Sequence, residues 1–131
     1  MDRNRFDSLV DEVVASLPEE FSSRLENVEV VVQDYPSSYQ IARGRLARGH
    51  MLLGLYEGVP RTRRGRGYGM VLPDKITIFR KPIEARCRNE EDIAQEIRRV
   101  VLHEIAHHFG ISDARLSEIE REGKSGGKTQ P

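Results

Sequence analysis

The sequence predicts an α+β fold, and three patterns support this prediction. An amphipathic helix comes first, short apolar segments with strand-like composition follow, and a long helix with clear ends lies near the C-terminus. At 131 residues, the chain is long enough for one domain with a single core. We therefore expect a small sheet of three or more strands, with the N-terminal helix and the long helix packed on one of its faces.

The N-terminal helix is predicted by apolar residues at spacings of three and four. They run from Phe6 to Leu17, and Pro18 closes the pattern. Three strands are predicted after it, at residues 28–32, 51–56 and 76–79.

A turn at residues 35–38 is expected to end the first strand, because the segment contains Pro36 and two serines. The long helix is expected to begin after Asn89, a good N-cap with acidic residues in the following turn, and to end at Gly110. A last short helix is expected at residues 114–122. The domain would then cover residues 1–122, and residues 123–131 would form a disordered C-terminal tail.

Residues 103–113, His-Glu-Ile-Ala-His-His-Phe-Gly-Ile-Ser-Asp, are the most informative segment for chemistry. His103 and His107 are four residues apart, so on a helix both imidazoles can reach one metal ion. Glu104 lies beside them, where a carboxylate can take a proton from water activated by the metal. Asp113 follows the turn at Gly110 and is predicted to be the third ligand. This pattern predicts a zinc site and hydrolysis with Glu104 as the general base.

Several neighbouring residues have alternative roles. His108 is rotated by about 100° from His107 around a helix, so it is expected to lie outside the metal site. Asp113 could instead cap the helix that follows it. Glu118 and Glu120 are then the rival candidates for the third ligand.

Composition limits the compartment and the partners. The formal net charge is +0 and 32% of residues are charged, which predicts a soluble protein and no strong attraction to nucleic acid or membranes. The single cysteine, Cys87, cannot form an intramolecular disulfide and favours a reducing, cytoplasmic location. No apolar run has the length of a membrane span. The expected partner is a peptide or protein substrate, and a monomer is favoured.

The middle of the chain is basic. Residues 41–70 contain seven arginines against one acid, Glu57, and the loop at 61–70 is rich in glycine. The loop could gate a substrate or attract an acidic partner, but it could also be an ordinary solvated loop. His50 and Tyr68 lie in this region and are candidates for steadying an oxyanion.

Taken together, the chain resembles a family of small bacterial zincin-like metallopeptidases, the minimal zincins. The resemblance extends from the helix at Phe6 to about Leu116. It is most specific at residues 52–58, residues 73–79 and the His-Glu-Ile-Ala-His-His-Phe-Gly-Ile-Ser-Asp segment at 103–113. It implies a compact zincin core with zinc on His103, His107 and Asp113, and Glu104 as catalytic acid and base.

Two other functions remain open. Single-domain metal-dependent endoribonucleases use three histidines at the spacing of His103, His107 and Asp113, and the basic loops would suit an RNA backbone. The second alternative is a non-catalytic interaction module with a structural zinc, in which another side chain fills the fourth position.

Overall fold

A computed structural model of the protein describes residues 1–44, 51–58 and 72–128, with side chains described to residue 121. Its elements in chain order are α1 (Arg3–Ala15), α2 (Glu19–Ser22), a 3₁₀ turn (Ser23–Leu25), β1 (Val28–Gln33), α3 (Ser38–Gly44), β2 (Gly54–Glu57), β3 (Asp74–Phe79), α4 (Arg80–Ala85), α5 (Glu90–Phe109) and α6 (Asp113–Lys128). The predicted α+β fold is confirmed, with β2 beginning three residues later than expected and short helices in segments that were not predicted to be helical.

The three strands form one mixed sheet in the order β1-β3-β2. β1 runs parallel to β3 with Val30 opposite Ile76, while β2 runs antiparallel to β3 with Tyr56 opposite Ile76. β3 is therefore central and mostly buried, and β2 lies at an edge of the described sheet. This edge is the one that meets α5.

Alternate residues of β3 face two different layers. Ile76 and Ile78 are fully buried in the main core, which also contains the apolar faces of α1 and α5. Phe79 belongs to a smaller cluster with Leu52 and Leu55. Helices α1 and α5 thus pack in the main core against one face of the sheet, as the sequence predicts.

The ends of α5 follow directly from its sequence. The Asn89 side chain accepts a hydrogen bond from the backbone N–H of Asp92 at 2.9 Å, and acidic residues occupy the first turn. Gly110 ends the helix with a φ of 72°, in the left-handed region. The N-cap and the glycine stop predicted from the sequence are both confirmed.

The last helix is longer than predicted. α6 runs from Asp113 to Lys128, past the predicted end at Glu122 and into the segment expected to be a tail. Residues 129–131 lie outside the described residues. Leu116 and Ile119 are buried against the core, so the first half of α6 is anchored next to α5.

Candidate metal centre

The candidate site lies on the C-terminal half of α5, which core packing holds in place. Val101 and Ile105 are fully buried on the core face of the helix. His103 and Glu104 lie between these two residues in the chain and are half-buried, whereas His107 is exposed. One face of α5 is therefore fixed by apolar contacts, and the adjoining face carries titratable groups.

The two histidines predicted to bind metal are neighbours on that face. The centroids of the His103 and His107 rings are 6.1 Å apart, with the ring planes at 85°, as expected for side chains one helical turn apart. Nε2 of His103 is also 2.8 Å from Oε1 of Glu120, which projects from α6. Imidazole and carboxylate are donor types that zinc commonly takes, so the chemistry of these side chains suits the ion.

Asp113, the predicted third ligand, is exposed at the start of α6, and among the described side chains it forms no three-donor group with the histidine pair. The capping role considered for it is filled by Ser112, whose Oγ accepts a hydrogen bond from the backbone N–H of Arg115 at 3.1 Å. Glu118 is exposed and pairs with Arg115 at 3.1 Å. Among the described side chains, no three His, Cys, Asp or Glu residues form a group that could hold a metal. A three-ligand site would require a side-chain movement.

Glu104 is held against the edge strand. Its Oε1 accepts a hydrogen bond of 2.8 Å from the backbone N–H of Tyr56 in β2. Burial raises the pKa of the Glu104 carboxyl, and this effect outweighs the opposing influence of the Tyr56 N–H and of the two histidines. A carboxyl in this state can hold and release a proton while one of its oxygens stays fixed.

A glycine in β2 allows this close approach. A Cβ atom on Gly54 would lie 2.4 Å from Cγ1 of Val100 in α5 and 3.3 Å from the backbone oxygen of Thr77. Because no side chain intervenes, α5 packs directly against the edge of the sheet. The contact brings the Tyr56 N–H within reach of Glu104.

His108 lies on the side of α5 that faces Tyr56. The two rings are stacked, with centroids 3.8 Å apart and an interplanar angle of 16°. The Tyr56 hydroxyl donates a hydrogen bond of 2.6 Å to Oδ2 of Asp74 in the central strand. Tyr56 is therefore held from both sides, which stabilises the strand position that contacts Glu104.

A groove of about 650 Å³ follows the other flank of α5 and reaches Glu120 beside His103. Its walls include Arg86, Arg98 and Cys87. Burial raises the pKa of the Cys87 thiol, which favours the neutral form. Its described lining also includes Arg99 and three acids, Asp92, Glu96 and Glu120, so acidic and basic side chains are balanced along the groove.

Sequence reasoning missed the contact of Tyr56 with Glu104, because the donor is a backbone N–H that any residue type except proline could supply. Gly54 carried a usable signal, since a glycine inside a strand often marks a close backbone approach. The two oxyanion candidates, His50 and Tyr68, and the arginine-rich loop at 61–70 lie outside the described residues. Among the residues that are described, no helix is long and apolar enough to span a membrane.

Comparison with known proteins agrees with the fold and identifies the family. A solved structure of a conserved hypothetical protein from Thermus thermophilus is similar, with a TM-score of 0.53 and 23% sequence identity. The match covers 83% of this chain and 94% of that chain, and at this identity it supports the fold alone. A search of curated proteins finds no match. The family model for zincin-like metallopeptidases matches residues 25–123, a range that includes residues 103–113. The chain therefore belongs to the zincin-like metallopeptidase family.

Proposed function

We propose that the protein is a zinc-dependent endopeptidase in which Glu104 is the catalytic acid and base. The observation that carries the proposal is the contact between Glu104 and the Tyr56 N–H, next to the His103–His107 pair. No described lysine or arginine is among the causes that shift the pKa of Glu104. Its carboxylate is therefore not committed to a salt bridge, as a structural glutamate usually is when it is buried.

The proposed ligands are His103, His107 and Asp113. Two imidazoles from one helix and a carboxylate after the glycine turn leave an open position, which is the arrangement of catalytic rather than structural zinc. Zinc in such a site supplies Lewis acidity, which makes water a competent nucleophile near neutral pH. Asp113 begins α6, two residues beyond the turn at Gly110 and Ile111, so a change of rotamer or of the turn could bring it toward the histidines.

Glu104 would move the proton of the reaction. Its Oε1 is held by the Tyr56 N–H at 2.8 Å, which leaves Oε2 as the oxygen that accepts the proton from the attacking water. The raised pKa lets the carboxyl keep that proton until the amine leaves. Delivery to the amine nitrogen then restores the carboxylate.

An extended peptide is the substrate form that suits the surroundings. β2 is an edge strand of the described sheet and runs beside α5. A peptide could pair through backbone hydrogen bonds with the part of this edge that α5 and Glu104 leave uncovered, which would lay its scissile bond near the helix that carries Glu104. Recognition through the backbone predicts activity on unfolded proteins.

Incubation with two substrates tests the proposal against the ribonuclease alternative. We expect the purified protein with added Zn²⁺ to cleave denatured casein, to lose this activity with a chelator, and to leave structured RNA intact. His107→Ala should abolish cleavage, because it removes a proposed ligand. Glu118→Gln is the matched control and should retain full activity, since Glu118 is exposed and pairs only with Arg115 in the described contacts. Chelator-sensitive cleavage of RNA without cleavage of casein would overturn the proposal.

A further inference from the structure

Asp74 is a buried carboxylate to which neither the metal motif nor the proposed mechanism gives a role. It is the first residue of the central strand and is 8% exposed. Its backbone N–H donates a hydrogen bond of 3.0 Å to the backbone oxygen of Asn27, and the residue lies in register with Val28 of β1. Because its backbone is held from the side of β1, Asp74 presents a fixed acceptor to the strand on its other side.

The Tyr56 residue links this acceptor to Glu104. Its hydroxyl donates a hydrogen bond of 2.6 Å to Oδ2 of Asp74, while its backbone N–H donates the bond of 2.8 Å to Oε1 of Glu104. The face of its ring stacks on His108 with centroids 3.8 Å apart. Because the ring is held at its hydroxyl end and on its face, rotation of the residue about the strand is restricted. The direction of the Tyr56 N–H is restricted with it.

The strand that carries Tyr56 depends on such an anchor. β2 has four residues, begins with a glycine and is an edge strand of the described sheet. We propose that Asp74 is a positioning residue for the proposed catalytic base. Through the Tyr56 side chain, it fixes the N–H that holds Oε1 of Glu104 and thereby leaves Oε2 directed to the reacting water. The inference rests on the proposed function in taking Glu104 as the base.

Kinetics of casein cleavage test whether Asp74 acts through Glu104. We expect Asp74→Leu to lower kcat about tenfold and to leave KM within about twofold of wild type, because a misplaced base slows proton transfer without weakening binding. Asp74→Asn is the matched control and should keep kcat close to wild type, since its side-chain oxygen still accepts the tyrosine hydroxyl bond.

The same substitution in a protein that lacks the base separates positioning from a general structural effect. When Glu104→Gln is already present, Asp74→Leu should lower the residual kcat by less than about twofold, because two changes that act on one step are not additive. A further loss as large as in the wild-type background would overturn the inference.

Hydrogen exchange measured by NMR tests the link without a substrate. The Tyr56 N–H points toward Glu104 and away from β3, so its protection reports this contact. The Leu55 N–H points toward β3, since N–H directions alternate along a strand, and is the internal control. We expect Asp74→Leu and Tyr56→Phe to speed exchange at residue 56 by about tenfold and to change exchange at residue 55 by less than about twofold.

The outcomes of the exchange experiment distinguish the two proposals. Unchanged exchange at residue 56 in both variants would overturn the inference and leave the proposed function intact. Faster exchange at residues 55 and 56 together would mean that Asp74 only stabilises the strand, which also overturns it. Faster exchange at residue 56 alone, in a protein that cleaves no casein, would support the link from Asp74 to Glu104 and overturn the proposed function. Tyr56→Phe removes a single oxygen atom, so a folding defect in Asp74→Leu cannot leave the question open.

Discussion

Two of the four glutamates of helix α5, Glu96 and Glu104, are just over two turns apart and are held in opposite ways. Glu96 accepts hydrogen bonds of 2.9 Å from Arg86 and 2.7 Å from Arg99, and the two arginines lower its pKa. Glu104 instead accepts one bond of 2.8 Å from the Tyr56 backbone, and burial raises its pKa. The two carboxyl groups have the same chemistry in isolation.

We call the first half of α5, which carries Glu96, the structural half, and the second half, which carries Glu104, the chemical half. In the first half, a carboxylate that stays charged links α5 to the residue after α4 through Arg86. In the second half, a carboxyl that can hold a proton lies beside the histidines. A sequence pattern shows both as polar positions on one amphipathic helix. Their partners decide which of them can take part in proton transfer.

The largest effect is expected from a substitution of Glu104. We expect Glu104→Gln to lower kcat for casein cleavage by about 10²–10⁴-fold, because the amide cannot accept the proton of water. The side-chain oxygen can still accept the Tyr56 hydrogen bond. The midpoint of urea unfolding and the bound zinc should therefore stay close to wild type.

The matched control is Glu96→Gln on the same helix. It should keep kcat within about twofold of wild type, since Glu96 lies on the structural half and only moderate changes are expected from an ion pair remote from the chemistry. If both variants lose activity equally, the contrast between the two halves of α5 does not reflect function.

An effect of intermediate size on activity and stability is expected at the contact between β2 and α5, which positions the Tyr56 N–H against Glu104. In Gly54→Ala, the new Cβ would lie 2.4 Å from Val100 Cγ1, so the Val100 side chain or the packing of β2 on α5 must shift. Overpacking of this kind costs about 1–3 kcal/mol. The shift would also draw the Tyr56 N–H away from Glu104, so we expect kcat to fall as well. Urea unfolding and the casein assay measure the two effects.

Gly58→Ala is the control, because a Cβ there has its nearest neighbour, His108 Cε1, at an ordinary 3.6 Å. The double variant Gly54→Ala, Val100→Ala removes the clashing methyl group and should recover part of the lost activity. Unchanged activity in Gly54→Ala would show that the close approach of β2 to α5 is not needed for catalysis.

Most of the fold could be predicted because the long elements have strong local signals. α1 and α5 combine a clear apolar period with an N-cap or a terminating residue. Short helices were missed where tertiary contacts dominate. α3 did carry a signal, since Ser37 and Gln40 form a reciprocal capping box in which each side chain bonds the other's backbone N–H. Pro36 and the serines favoured a turn instead.

The candidate site was only partly accessible to sequence reasoning. Spacing alone predicts that His103 and His107 act together, because an i, i+4 pair shares a helix face, and it places Glu104 beside them. It does not reveal that the Tyr56 backbone holds Glu104, nor that Glu120 reaches His103 from the next helix. Both contacts join distant parts of the chain, so they depend on how α5 packs against β2 and α6.

The smallest expected effect concerns stability in acid and tests the other member of the pair, Glu96. Its pKa in the folded protein is lowered, first by the Arg99 hydrogen bond. A group of this kind stabilises the fold above its unfolded pKa of about 4.3, and the stabilisation is lost as the pH falls through the lower folded value. Since both arginine partners are exposed to solvent, which screens the pairs, the effect should be less than about 1 kcal/mol.

Urea unfolding of wild type and Glu96→Gln at pH 7 and at pH 3 isolates this contribution, because all other titrating groups are shared by the two proteins. At pH 7 the wild type should have the higher unfolding free energy, and the difference should shrink at pH 3, because the stabilisation from a lowered folded pKa is progressively lost below the unfolded pKa. A difference that is equal at both pH values would mean that the Arg86 and Arg99 contacts do not stabilise the charged carboxylate. The charge of Glu96 would then not contribute to stability. The difference between Glu96 and Glu104 would come only from the contact of Glu104 with Tyr56.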